Sequence, residues 1–195
     1  KNEKQLERFR SETIPDLVYT VDSLNVPETI GMQLGDLVWD AMNLYTPYRT
    51  TISDMGLTMF QVMGNHDFNL QYADMERTAE PAKGYGEKNY YEMFGPTDYS
   101  FNVGKVHVIA MKDIDYEGGK KYTERFTEEQ LEWLKKDLSY VPEGTTVFLN
   151  VHAPVANTTV ERGHHLRNPH GLFRILRPSK AHIFYRHTHF HENTL

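Results

Sequence analysis

Four short polar clusters hold the residues best equipped for chemistry: Gly35-Asp36-Leu37-Val38-Trp39-Asp40, Gly64-Asn65-His66-Asp67, His152-Ala153-Pro154 and His187-Thr188-His189. Aspartate, asparagine and histidine offer oxygen and imidazole donors, a set suited to zinc, manganese or iron. The chain has no cysteine, so any metal must be held by nitrogen and oxygen. Taken singly, each cluster has an ordinary reading. Gly-Asp after a strand is a common turn, and a lone histidine is more often hydrogen-bonded than ligating. A His-x-His stretch puts both rings on one face when extended, but a His-rich tract alone is a weak metal signal. Together the clusters say more. Four independent turns would not be expected to place metal donors at four strand ends.

The elements that must position these clusters follow from apolar spacing. Leu6, Phe9, Leu17, Val21 and Leu24 predict a helical stretch over residues 4–24, with a break or kink at Pro15. Thr29 to Leu34 and Thr58 to Met63 read as buried strands, and residues 41–55 as a helix. Residues 67–91 read as an insertion over the site that includes a short helix. Tyr99 to Val103 and Val106 to Met111, separated by Gly104-Lys105, form a hairpin signal. Residues 113–125 read as a polar loop. Thr127-Glu128-Glu129-Gln130 is a capping-box signature for a helix whose apolar face carries Leu131, Leu134 and Leu138. Thr146 to Val151 and Ala181 to Tyr185 complete the strands, with a short helix over residues 171–176. Strands alternating with helices, with one hairpin inserted, indicate α/β layers. Each cluster begins within a residue or two of a strand's carboxyl end, where α/β sheets collect ligands.

Bulk properties narrow the classes. The chain has 195 residues, 25% of them charged, and a formal net charge of −6, which suits one domain with a sizeable core. The acidic balance argues against a nucleic-acid platform, which needs Lys and Arg to neutralise phosphates. It leaves room for a small phosphate substrate, because bound cations invert the local field. No apolar run reaches the length of a membrane span. The compartment stays open, with an extracytoplasmic location favoured. There is no Gly-x-Ser-x-Gly elbow and no His-Glu-x-x-His helix.

The order Gly-Asp, Gly-Asn-His-Asp, His, His-x-His resembles the calcineurin-like metallophosphoesterase family, and the resemblance covers nearly the whole chain. Phe126 to Leu134 is also similar to a segment common in that family. The resemblance implies a β-sandwich of two mixed sheets flanked by helices. It further implies hydrolysis of phosphate monoesters or diesters by a water activated between two metal ions (Mn, Zn or Fe). On that reading Asp36 bridges the two metals. Asn65, His152 and His187 complete one site, and His189 binds the other. His66 faces the substrate and Asp67 orients it. Partners would be a phosphorylated small molecule or lipid. Arg162, His164, His165, Arg167 and His170 either contact substrate phosphate or belong to a solvated loop.

Two features depart from the family pattern. Its first motif, an Asp-x-His after the first strand, has no match before Gly35, which implies a single catalytic domain over residues 1–195 that is truncated at its N-terminal edge, where the first strand and a ligand of one metal site would lie upstream, and at the C-terminus. Arg186 stands where glycine usually precedes the His-x-His. A register using His189 and His191 is the alternative there. Both departures motivate a second reading, a catalytically degenerate relative that binds ligand or metal without turnover.

Overall fold

The structure, a computed structural model, describes residues 2–26, 29–68, 85–118, 121–156 and 163–187. Its elements largely follow the apolar spacing. Helix α1 (Asn2–Arg8) passes through a π-helical segment, Phe9–Thr13, into α2 (Ile14–Leu24). Pro15 thus widens the helix without ending it. It has no N–H to give to the preceding turn, and the π segment absorbs the defect. Strand β1 (Ile30–Leu34) pairs in parallel with β2 (Thr58–Val62). Between them a short 3-10 turn, Met42–Leu44, leads into α3 (Tyr45–Asp54). Residues 69–84 of the expected insertion lie outside the described residues; beyond them comes α4 (Tyr85–Phe94).

Strands β3 (Tyr99–Val103) and β4 (Val106–Ala110) form the expected antiparallel hairpin. Residues 113–125, read from the sequence as a polar loop, are instead a second hairpin, β5 (Ile114–Gly118) with β6 (Lys121–Glu124). Ile114 and Tyr116 are buried, and so is Asp115 between them, held by Arg125; a buried aspartate and the charged residues that follow hide the strand from apolar spacing. Helix α5 (Glu128–Leu138) opens on the expected capping box. Gln130 N–H donates to Thr127 Oγ1, and the Gln130 side chain accepts from Thr127 N–H. Strand β7 (Thr146–Asn150), helix α6 (Pro169–Leu176) and strand β8 (Lys180–Phe184) follow.

The larger sheet has the order β3-β4-β7-β8, antiparallel only between β3 and β4. Ile109, Val147, Leu149, Ala181 and Ile183 pack against Leu131, Leu134, Leu172 and Leu176 of α5 and α6. On the smaller sheet Phe60 stacks on Phe101, and Tyr99 donates its hydroxyl to the Gln61 carbonyl, which ties β2 to β3. Leu6 of α1, Phe9 of the π segment, and Leu17 and Val18 of α2 pack with Tyr45, Tyr48 and Ile52 of α3. Among the described residues no helix is long and apolar enough to cross a membrane. The parallel pairings β1 with β2, and β4 with β7 and β8, place the carboxyl ends of the partnered strands together. The polar clusters begin just past those ends.

Candidate active site

The loop after β1 is built around backbone that few side chains tolerate. Gly35, Asp36, Trp39 and Asp40 all have positive φ, from 50° to 91°. Non-glycine residues there are uncommon and mark strain held by surrounding structure. A Cβ on Gly35 would fall 2.3 Å from His152 Nδ1, and one on Gly64 would fall 2.5 Å from Asp36 Oδ1. Both glycines are therefore required by close approach. The loop and the 3-10 turn Asn65–Phe68 are zipped together: Asp40 N–H donates to the His66 carbonyl at 2.9 Å, and His66 N–H donates to Asp36 Oδ1 at 3.0 Å.

Asp36, Asn65, His152 and His187 meet in one place. His152 Nδ1 lies 2.7 Å from the Leu34 carbonyl, which accepts only, so Nδ1 carries the proton. In the neutral ring Nε2 is then a bare lone pair. It faces Asn65 Oδ1 at 3.0 Å, His187 Nδ1 at 2.8 Å and Asp36 Oδ1 at 3.5 Å. Asn65 Nδ2 is turned the other way, to Tyr122 Oη at 3.4 Å. A lone pair, an amide oxygen and a carboxylate oxygen thus point at one another, an arrangement a cation resolves. The donor set fits a divalent transition metal. His189 lies outside the described residues. Arg186 is accommodated: it is not among the positive-φ residues, and its N–H and that of His187 both donate to the His152 carbonyl.

His187 is partly buried, and burial together with the adjacent His152 ring lowers its pKa from 6.5 to about 4, Asp36 pulling the other way. The unfolded chain binds this proton in that window while the native chain does not, so stability present above 6.5 is lost as pH falls toward 4. In metal-free protein the urea midpoint of wild type should fall more steeply between about pH 7 and about pH 4.5 than that of His187→Gln. Equal slopes would exclude this linkage.

His66 and Asp67 part company. Expectation placed Asp67 beside the imidazole, but the structure gives that position to Asp40. His66 Nδ1 lies 2.5 Å from Asp40 Oδ2, and Trp39 stacks on the ring with centroids 3.7 Å apart. Burial lowers the His66 pKa, but the Asp40 bond and the charges of Asp36, Asp40 and Asp67 outweigh it, so the net direction is upward. Asp67 is fully buried and turns to backbone, accepting the N–H groups of Asp36, Leu37 and Gly64. Its carboxyl is pushed up to about 7 by burial and then by Asp36, against those three bonds. The motif's last aspartate joins the two loops, a role that adjacency to His66 could not reveal.

Asp113 was hidden in the segment read as a polar loop. It is buried just past β4 and accepts the N–H of His152 at 3.2 Å and of Ala153 at 2.8 Å. Burial pushes its carboxyl up to about 8, against the pull of the Ala153 and His152 bonds. Asp113→Asn keeps the shape but can accept on only one atom. Loss of such an outer support typically weakens metal binding about 10–100-fold, and that is the expected drop on titration with manganese or zinc. Unchanged affinity would remove Asp113 from the account.

A cavity of about 420 Å³ runs from Asp36 and His152 past Trp39 and Arg186 to Phe9 and Thr13. An α/β fold with a nitrogen and oxygen donor cluster at its strand ends is that of a candidate metal-binding protein. The sequence model for calcineurin-like phosphoesterases matches residues 10–193, and the chain belongs to that family. Family membership supports metal-dependent phosphoester hydrolysis as the general reaction. The chain is similar in fold to a dimetal phosphatase from Danio rerio, with a TM-score of 0.57 and 16% identity, over 86% of this chain and 68% of that one. No curated protein matches the sequence.

Proposed function

We propose that this chain hydrolyses phosphate monoesters or diesters at a two-metal centre. Asp36, Asn65, His152 and His187 would hold one ion. Asp36 would also reach the second, to which His189 would contribute. The observation that supports this reading is the set of mutually facing acceptors, with His152 locked by Leu34 into the tautomer that exposes Nε2. When bound, the two cations would neutralise phosphate charge and lower the pKa of water. The chain's own groups do the rest. Asp40 holds Nδ1 of His66, leaving Nε2 as the nitrogen that reaches the substrate. The upward shift of its pKa favours the protonated ring, the form that can donate to developing charge or to the leaving oxygen. Trp39 fixes the ring plane. Asp67 and Asp113 hold the loops carrying Asp36 and His152 by accepting their backbone N–H groups.

The substrate would be a phosphorylated small molecule or lipid headgroup. The test is a panel of phosphate monoesters and diesters on the full-length protein, after chelation and again after manganese, zinc or iron is restored. Turnover that disappears with chelation and returns with metal supports the reading. Metal that binds with no turnover across the panel favours the degenerate alternative.

A further inference from the structure

A buried carboxylate beside the centre has no part in the chemistry above. Glu124, the last residue of β6, has a side chain 5% exposed, with Oε1 3.2 Å from His164 Nδ1 and Oε2 3.9 Å from Arg167 Nε. A buried carboxylate is costly unless its charge is compensated and hydrogen-bonded. The guanidinium stands beyond hydrogen-bond reach of it, and the imidazole can supply one proton at most. The His164 ring in turn lies 5.1 Å from the His187 ring. One ligand atom each from Glu124, His164 and His187 lie within 4.8 Å of one another. The three come from separate elements: the end of β6, the loop before α6 and the exit of β8. A hollow walled by Glu117, Lys121, Tyr122 and Arg167 opens onto Glu124 and His164.

The geometry points to a further metal site here, in which Glu124, His164 and His187 bind a dication of the zinc type. Two imidazoles and one carboxylate are a donor set that zinc accepts, with a fourth position left for water or a substrate atom. The cation compensates the Glu124 charge that Arg167 reaches only at 3.9 Å. Metal–ligand bonds are about 2.0–2.2 Å, so the three atoms must draw somewhat closer. The His164 side chain is 52% exposed and is the one free to move. This site uses neither Asp36 nor His152. His187 is common to both donor sets, with its Nδ1 facing His152 at 2.8 Å; a neutral imidazole has one lone pair, so both ions are held together only when the ring releases its N–H proton and bridges them as an imidazolate.

The test is zinc content of the full-length protein by equilibrium dialysis and elemental analysis, with circular dichroism to verify folding. Glu124→Gln and His164→Ala should each lose one equivalent and keep the ions that depend on Asp36. The double variant should lose no more than either single one. His164→Ala changes an exposed side chain and serves where Glu124→Gln fails to fold. Asp36→Asn should retain the Glu124 ion, and His187→Ala should weaken both sets. Wild-type zinc content in both Glu124→Gln and His164→Ala overturns the site. So does loss, in either, of the same ion that Asp36→Asn removes, because Glu124 and His164 would then be outer supports of one centre. If Asp36→Asn keeps all its metal, the catalytic assignment fails, while this site is still decided by its own two variants.

Discussion

Asp36→Asn should strip the catalytic ions from the full-length protein, and His152→Ala should do nearly as much. The reason is geometric. Asp36 lies where the loops after β1 and β2 and the His152 lone pair converge, and its Oδ1 is 3.5 Å from His152 Nε2. Asparagine keeps the size and the acceptor for His66 N–H but removes the charge that attracts a cation. His152→Ala removes a ligand whose tautomer is set by Leu34, so water has no equally ordered replacement to offer. Loss of an outer support weakens metal binding about 10–100-fold, and these two changes should exceed that range. Elemental analysis after gel filtration decides the matter. Two tightly bound catalytic equivalents in both variants would remove Asp36 and His152 from the centre.

The second large effect is on rate. His66→Gln should keep its metals and its fold while turnover falls about 10²–10⁴-fold, the range for a positioned general acid. The side chain stands apart from the donor cluster, held through Nδ1 by Asp40 at 2.5 Å and covered by Trp39. Substrates with good leaving groups should suffer less, since they need less protonation. Asp40→Asn should give a milder form of the same defect by weakening the charge and orientation of the ring. Asp67→Asn should differ in kind. Asp67 accepts three backbone N–H groups across two loops, so its loss should lower stability and metal affinity together. If His66→Gln loses metal while turnover per bound ion stays normal, His66 is a ligand and the division fails.

Much of this was legible in the residues. The donors Asp36, Asn65, His152 and His187 stood out because each follows an apolar run read as a strand, and parallel pairing brings those ends together. Spacing along a chain does not show which neighbour a side chain turns to. Asp67 adjoins His66 but faces backbone, whereas Asp40, 26 residues away, holds the ring. Positive φ at Trp39 and Asp40 makes that approach possible, and no local propensity announces it. Asp113 and the β5–β6 hairpin were obscured for a related reason. Short strands rich in charged residues look like loop, and a buried aspartate beside them looks solvated until its two N–H partners are seen. Glu124 is buried at the end of the same hairpin and was masked in the same way.

The central claim is that Asp36, Asn65, His152 and His187 hold a catalytic ion. Anomalous diffraction from crystals of the full-length protein grown with manganese or zinc tests it most directly. The account predicts a peak about 2.0–2.2 Å from Asp36, Asn65 Oδ1, His152 Nε2 and His187 Nδ1, with His66 outside the coordination sphere. Well-ordered crystals in saturating metal that show no peak among these four residues would contradict it.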